Sequence, residues 1–254
     1  MKKSSKYVNK IRSTNVYDVA LKSPITKAVG LSLQYGNNIL LKREDMQPVF
    51  SFKLRGAYNK LSKLHKKGIT KPVFAASAGN HAQGVAFASL KLGLKATIVM
   101  PVTTPSIKID SVKRLGAKVI LQGDNFDEAF KFGKDLAKKK KATFIHPYDD
   151  PDVIAGQGTI GMEILDALDS NIDSIFVPVG GGGLLAGVGA YVKSINPKIK
   201  IYGVEPEDAA CLDAAVKANK RVSLKEVGLF ADGVAVKQIG KTTYSLIEEW
   251  IDGV

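Results

Sequence analysis

Lys53 lies where a lysine side chain is suited to react as a free amine. It follows Pro48 and Ser51 and precedes apolar residues at helical spacing, namely Leu54, Ala57, Tyr58, Leu61 and Leu64. Ser51 is a good N-cap, so the pattern predicts a helix with Lys53 in its first turn, where the helix dipole disfavours an ammonium group. Burial of that turn would also lower the lysine pKa, and the free amine attacks aldehydes to form Schiff bases. The alternative is a solvated surface lysine in a lysine-rich chain.

Four consecutive glycines between a predicted strand and a predicted helix indicate an anion-binding turn. These residues, called the tetraglycine below, are Gly180, Gly181, Gly182 and Gly183. Because they lack Cβ atoms, their backbone amides can converge on an anion at the N-terminus of the helix, and a phosphate is the usual occupant. The alternative is a glycine-rich turn that only lets the strand and the helix pack closely.

The same region leaves a dinucleotide-binding site open as a rival interpretation. Gly181, Gly183 and Gly187 form a variant of the dinucleotide fingerprint, and Glu205 ends the next predicted strand at a separation that suits a ribose contact. The glycine that would pack the helix is one place late in this variant. An NAD site also leaves Lys53 without a role, whereas an aldehyde cofactor that carries a phosphate would use both Lys53 and the tetraglycine.

A polar turn at another strand-to-helix junction could bind a carboxylate. It consists of Ser77, Ala78, Gly79, Asn80 and His81, ahead of a helix predicted over residues 85–92. Amides and a hydroxyl at such a junction suit a carboxylate, and the Asn80 side chain could hydrogen-bond a phenolic oxygen of a cofactor. The alternative is a capped turn of a structural helix. His81 is interpreted as a packing or capping residue, and the histidines show no metal-ligand spacing, so no metal site is predicted.

The elements that position these motifs alternate between strand and helix patterns along most of the chain. Such alternation predicts an α/β fold with mostly parallel, twisted sheets flanked by helices. With 254 residues, of which 45% are hydrophobic, the chain can bury a sizeable core. We predict two domains: residues 1–73 and 148–254 form the larger one, and residues 74–147 form a small α/β domain inserted into it.

Composition favours a cytoplasmic protein without membrane or nucleic-acid partners. Cys211 is the single cysteine, which excludes a disulfide framework. The basic N-terminus lacks the apolar segment of a secretory signal, and no apolar run approaches the roughly 20 residues that span a bilayer. The formal net charge is +13, but the lysines are scattered and no recognition motif accompanies them, so a nucleic-acid site is not predicted.

Together the motifs resemble those of the pyridoxal-phosphate-dependent threonine dehydratases, in particular the biosynthetic ones, which belong to the fold-type-II (tryptophan-synthase-β-like) group. The resemblance is carried by residues 51–57, 77–84 and 180–184, and by further matches at residues 125–129, 154–159 and 227–237. It implies pyridoxal 5′-phosphate as the cofactor and L-threonine, or alternatively L-serine, as the substrate. The implied reaction converts threonine to 2-oxobutanoate and ammonia, the first step of isoleucine biosynthesis.

The resemblance also implies a role for each matching residue. Lys53 would hold the cofactor covalently and act as the catalytic base, and Phe52 would line the pocket against the cofactor ring. Asn80 would contact the 3-hydroxyl of the cofactor. The substrate carboxylate would be bound by Ser77, Ala78, Gly79 and Asn80. The phosphate would be bound by Gly180, Gly181, Gly182, Gly183 and the amide of Leu184.

Members of that family continue well past the counterpart of Val254, so the resemblance predicts a chain that is incomplete at its C-terminus. A complete chain is expected to form a homo-oligomer. Three alternatives stay open at this point: serine dehydratase or racemase chemistry on the same fold, an inactive fragment of the lyase, and an NAD-dependent oxidoreductase.

Overall fold

The fold is seen in a computed structural model, which describes residues 5–168, 171–228 and 230–254. Its helices are α1 (Ser5–Arg12), α2 (Val29–Tyr35), α3 (Lys53–Lys66), α4 (Asn80–Lys91), α5 (Ser106–Arg114), α6 (Phe126–Lys139), α7 (Pro151–Leu168), α8 (Gly183–Ile195), α9 (Cys211–Ala218) and α10 (Lys241–Ile247). Its strands are β1 (Ile25–Lys27), β2 (Leu40–Lys42), β3 (Val73–Ala76), β4 (Ala96–Met100), β5 (Lys118–Leu121), β6 (Thr143–Phe144), β7 (Ser174–Pro178) and β8 (Lys200–Val204). Strands and helices alternate from β2 to β8, as predicted.

The strands between residues 73 and 144 form a parallel sheet in the order β5–β4–β3–β6. In its register, Ala75 of β3 lies opposite Ile98 of β4, and Phe74 lies opposite Phe144 of β6. A second parallel pair joins β7 to β8, whereas β1 and β2 form an antiparallel pair. A helix connects each parallel strand to the next one along the chain, as parallel pairing requires. The predicted α/β class with mostly parallel sheets is confirmed.

Helices α3, α7 and α8 pack closely because glycines lie where they cross. A Cβ atom on Gly156 of α7 would lie 2.6 Å from the carbonyl oxygen of Arg55 in α3. A Cβ atom on Gly187 of α8 would lie 2.5 Å from the carbonyl oxygen of Ile154 in α7. Both distances are too short for a carbon and a backbone oxygen, so any larger residue would push the helices apart. These contacts hold the first turn of α3 against α7.

The two largest apolar cores of the described residues contain most of the buried side chains. The larger core takes buried residues from α1, α7, α8, α9, α10, β7 and β8, among them Ile154, Leu185 and Ile201. The second core lies around β3 and β4 and includes Val85 of α4 and Leu61 of α3. Helix α3 therefore packs into the core of the sheet that follows it. The division into residues 1–73 with 148–254 and residues 74–147 stays a prediction.

The end of the chain pairs with β8. Gly253 forms a parallel bridge with Tyr202, and the N–H of Gly203 donates to the Gly253 carbonyl at 2.9 Å. The Asp252 carboxylate accepts the N–H of Ile201 at 2.6 Å. Helix α10 precedes this pairing segment and ends at Ile247.

Two local predictions near the candidate site were wrong. Helix α4 begins at Asn80, five residues before its predicted start, and its N-cap Gly79 makes no side-chain hydrogen bond that the sequence could signal. Phe52, not Ser51, is the N-cap of α3. The Ser51 hydroxyl instead accepts the N–H of Lys53 at 3.3 Å, a local bond that serine also makes outside the cap position. Lys53 still lies in the first turn of the helix, as predicted.

Candidate functional site

The amine of Lys53 points toward a backbone carbonyl rather than toward an acid. Lys53 is the first residue of α3, and its Nζ donates a hydrogen bond to the carbonyl of Pro147 at 3.1 Å. The Nζ atom also lies 5.5 Å from the centroid of the Phe52 ring. Among the ion pairs of the described residues, none involves Lys53. Its positive charge is therefore left without a carboxylate partner.

Burial makes Lys53 a weaker base than a surface lysine. Because the surrounding protein excludes water, the pKa of Lys53 falls from 10.5 to about 8. Burial likewise lowers the pKa of His81 to about 3, and the nearby charge of Lys53 lowers it further in the same direction. Burial is also the main cause that lowers the pKa of His146 to about 4. Both imidazoles are therefore neutral at pH 7, and about a tenth of Lys53 is the free amine at that pH.

The polar turn before α4 lies next to the Lys53 turn. The Ser77 hydroxyl accepts the N–H of Gly79 at 3.1 Å, which holds the turn in shape. A Cβ atom on Gly84 of α4 would lie 3.0 Å from the carbonyl carbon of Lys53, so α4 packs directly on the start of α3. His81 is buried, and its Nε2 lies 3.1 Å from the Ile145 carbonyl, in keeping with a packing role. Asn80 is exposed at the first position of α4.

The tetraglycine adopts a backbone that larger residues could not follow. Gly182 has a φ of +85°, in the left-handed region that favours glycine, and it is the N-cap of α8, which begins at Gly183. A Cβ atom on Gly181 would lie 2.2 Å from the ring of Tyr148. The first amides of α8 have no partners within the helix and carry the positive end of its dipole. This arrangement suits an anion such as a phosphate.

Residues 146–149 connect the lysine amine with the tetraglycine. Pro147 accepts the hydrogen bond from Lys53, and the next residue, Tyr148, places its ring against Gly181. The backbone of Tyr148 lies beside Gly183, where a Cβ atom would be 3.1 Å from the Tyr148 Cα. His146 shapes this segment, because its Nδ1 accepts the N–H of Asp149 at 2.9 Å. The Lys53 amine and the tetraglycine thus flank the same short segment of chain.

Sequence reasoning missed Tyr148, Asp149 and Thr243. The Asp149 carboxylate accepts backbone N–H groups at the start of α10, from Lys241 at 3.0 Å and Thr243 at 3.2 Å. The Thr243 hydroxyl donates to the carbonyl of Gly181 at 2.8 Å. No local pattern could have found these residues, since each acts on a segment more than 30 positions away.

Glu205, the residue that a dinucleotide site would use, has another role. Its carboxylate accepts the N–H of Leu212 at 2.9 Å and the N–H of Asp213 at 3.0 Å. These bonds satisfy free amides in the first turn of α9. The carboxylate is therefore not free to bind a ribose, which weighs against the dinucleotide interpretation.

The groups on either side of residues 146–149 suit a ligand that carries both an aldehyde and a phosphate. On one side lies an amine suited to an aldehyde carbon, and on the other lies a helix N-terminus suited to a phosphate.

Two other features are absent from the described part of the chain. Within it, no cluster of His, Cys, Asp and Glu could hold a metal ion, and no helix is long and apolar enough to cross a bilayer.

Comparison with known proteins identifies relatives along nearly the whole chain. Residues 16–254 match the family described as pyridoxal-phosphate dependent enzyme. The biosynthetic, chloroplastic threonine dehydratase 1 of Solanum lycopersicum is 58% identical over 248 residues, which cover 98% of this chain and 41% of the relative. The biosynthetic L-threonine dehydratase IlvA of Burkholderia multivorans is 51% identical over 254 residues, covering 99% of this chain and 50% of the relative. The chain thus spans about half the length of these curated relatives.

Solved structures show the same architecture. The processed form of threonine deaminase isoform 2 from Solanum lycopersicum superposes with a TM-score of 0.95 at 51% identity, covering 98% of this chain and 69% of the other. Maize serine racemase superposes with a TM-score of 0.92 at 31% identity, covering 97% of this chain and 75% of the other. The fold is therefore that of the fold-type-II enzymes.

Proposed function

The chain belongs to the family of pyridoxal-phosphate-dependent enzymes, and on that premise we propose that it deaminates L-threonine to 2-oxobutanoate and ammonia. One observation carries the proposal: the Lys53 amine, which has no carboxylate partner among the described residues, donates to Pro147, whose neighbour Tyr148 lies on the tetraglycine. The identities of 51% and 58% to threonine dehydratases support threonine as the substrate.

Each part of the site has a proposed task in holding the cofactor. Lys53 would hold the aldehyde end, and the phosphate would lie against Gly180, Gly181, Gly182, Gly183 and the amide of Leu184. Phe52, whose ring lies beside the Lys53 amine, would contact the cofactor ring. Asn80 would donate to its 3-hydroxyl. When bound, pyridoxal 5′-phosphate withdraws negative charge from the α-carbon of an amino acid.

Lys53 would then act as a base on the substrate. With its pKa lowered to about 8, the side chain can accept a proton at Nζ near neutral pH and hold it. The turn of Ser77, Ala78, Gly79 and Asn80 would bind the substrate carboxylate through its hydroxyl and amides, which orients the α-proton toward Lys53. The carbonyl of Pro147 accepts from the Lys53 amine and so helps to hold it in place.

Covalent trapping of the cofactor tests the proposal. Purified protein with added pyridoxal 5′-phosphate is expected to absorb in the visible range, and borohydride reduction should leave the cofactor mass on the peptide that contains Lys53. Lys53→Ala should abolish trapping, whereas Lys66→Ala, at the exposed end of the same helix, should not. A protein that takes up no cofactor would refute the proposal. Cofactor uptake without formation of 2-oxobutanoate would refute its catalytic part.

Serine chemistry is the second candidate, favoured by the 31% identity to maize serine racemase. Turnover of L-serine compared with L-threonine, together with a chiral assay for D-serine, separates the two. The cytoplasmic location, the homo-oligomeric state and the absence of a nucleic-acid partner stay predictions.

A further inference from the structure

The peptide that joins Gly181 to Gly182 is held by two hydrogen bonds from one neighbouring segment. The Gly181 carbonyl accepts the hydroxyl of Thr243 at 2.8 Å and the N–H of Gly240 at 3.2 Å. Thr243 lies in the first turn of α10, and Gly240 is its N-cap. Both lone pairs of this carbonyl oxygen are thereby used, and the oxygen points toward α10.

The direction of this carbonyl also sets the direction of the Gly182 amide. In a planar trans peptide the C=O and the following N–H point in opposite directions. With the Gly181 oxygen directed at α10, the Gly182 N–H points away from α10. The two residues that this peptide joins, Gly181 and Gly182, have no Cβ atoms. Apart from the two hydrogen bonds to the Gly181 carbonyl, little prevents the peptide plane from rotating and presenting that oxygen to an anion.

Thr243 is well placed to prevent that rotation. Its side chain is fully buried, and its backbone N–H is held by the Asp149 carboxylate at 3.2 Å. Asp149 directly follows Tyr148, whose ring covers Gly181. The hydroxyl that holds the tetraglycine is therefore itself held by the segment that accepts the Lys53 amine.

We propose that Thr243 is a positioning residue for phosphate binding, whose hydroxyl keeps the Gly182 amide directed away from α10 and the Gly181 carbonyl out of the anion site. This inference rests on the proposed function, because the anion is taken to be the phosphate of the cofactor. Thr243 acts through Gly181 and needs no contact with the cofactor.

Two ligands and matched variants test the role of the hydroxyl. Pyridoxal 5′-phosphate and pyridoxal, which lacks the phosphate, are titrated against the wild-type protein, Thr243→Val, Thr243→Ser and Thr242→Val. Thr243→Val should bind pyridoxal 5′-phosphate about tenfold more weakly, since one hydrogen bond is lost. Its affinity for pyridoxal should not change. Thr243→Ser keeps the hydroxyl and should retain wild-type affinity, as should Thr242→Val, which removes a hydroxyl one residue away.

Each contrary outcome is distinct. Equal weakening of both ligands by Thr243→Val would show a merely structural role and overturn the inference, as would unchanged affinity for pyridoxal 5′-phosphate. If thermal unfolding shows that Thr243→Val does not fold, Thr243→Ala compared with Thr243→Ser provides the same contrast. A wild-type protein that binds neither ligand would overturn the proposed function together with this inference.

Discussion

Lys53 and Arg55 are cations two residues apart on the same helical turn, yet their surroundings are opposite. The Arg55 guanidinium is fully buried and contacts the carboxylates of Glu44 at 2.8 Å and Glu163 at 2.5 Å. Burial alone would lower the pKa of Arg55, but the hydrogen bonds and charges of the two glutamates raise it overall. Lys53 has no such partner among the described residues, and burial lowers its pKa to about 8.

The cluster around Arg55 balances its charges. Glu163 also accepts the Lys42 amine at 2.6 Å and the Tyr17 hydroxyl at 2.9 Å. Two cations, Arg55 and Lys42, thus meet two anions, Glu44 and Glu163. The cluster joins α3 to α7 and to the segment before α3, so it holds the backbone of the first turn, whereas the Lys53 side chain takes no part in it. The comparison indicates that carboxylate partners, rather than burial, decide which of the two side chains keeps its positive charge.

Removing a carboxylate partner of Arg55 should have the largest effect, a loss of folding stability. Glu163→Ala leaves Arg55 buried with only one of its two carboxylate partners, Glu44, which should lower the free energy of unfolding by about 3–5 kcal/mol. Asp166→Ala, at an exposed position on the same helix, is the matched control. Urea denaturation measures both. A loss below about 1 kcal/mol, the value typical of exposed pairs, would contradict the structural role of the cluster.

Giving Lys53 a carboxylate partner should raise its pKa, as the two glutamates raise that of Arg55. Phe52→Glu places an acid beside the amine and should raise the pKa of Lys53 by about 1–3 units, which slows its reaction with pyridoxal at pH 8. Phe52→Gln removes the same ring without adding charge and is the control. Stopped-flow absorbance measures the rates. Equal rates in the two variants would show that charge does not govern the amine.

A smaller effect is expected from pH alone. Because only the unprotonated amine attacks an aldehyde, the rate constant of the wild-type protein with pyridoxal should rise with pH and level off above a midpoint of about 8. An ordinary, solvated lysine would still gain rate up to its usual pKa of 10.5. The measurement is the same absorbance change followed from about pH 6 to about pH 11, a range chosen to contain both values. A midpoint near that of an ordinary lysine would contradict the effect of burial.

Some helix ends can be predicted from sequence because residues close in the chain form the contacts that set them. Helix α6 carries such a local signal at its N-cap, Asn125: the Asn125 side chain accepts the N–H of Glu128 at 3.1 Å, and the Glu128 carboxylate accepts the N–H of Asp124 in return. Helix α3 likewise ends just before Gly68, whose φ of +72° favours glycine. The start of α4 was missed because Gly79 caps it without a side chain.

By itself, the sequence determined the chemical types: an amine at a helix start, four glycines before another helix, and strands that alternate with helices. The spatial arrangement of these groups depended on tertiary contacts between residues far apart in the chain. Arg55 meets Glu163 across 108 positions, and Thr243 meets Gly181 across 62. Only the folded chain decides which cation receives a carboxylate and which way a glycine peptide turns, because both depend on partners that no local pattern specifies.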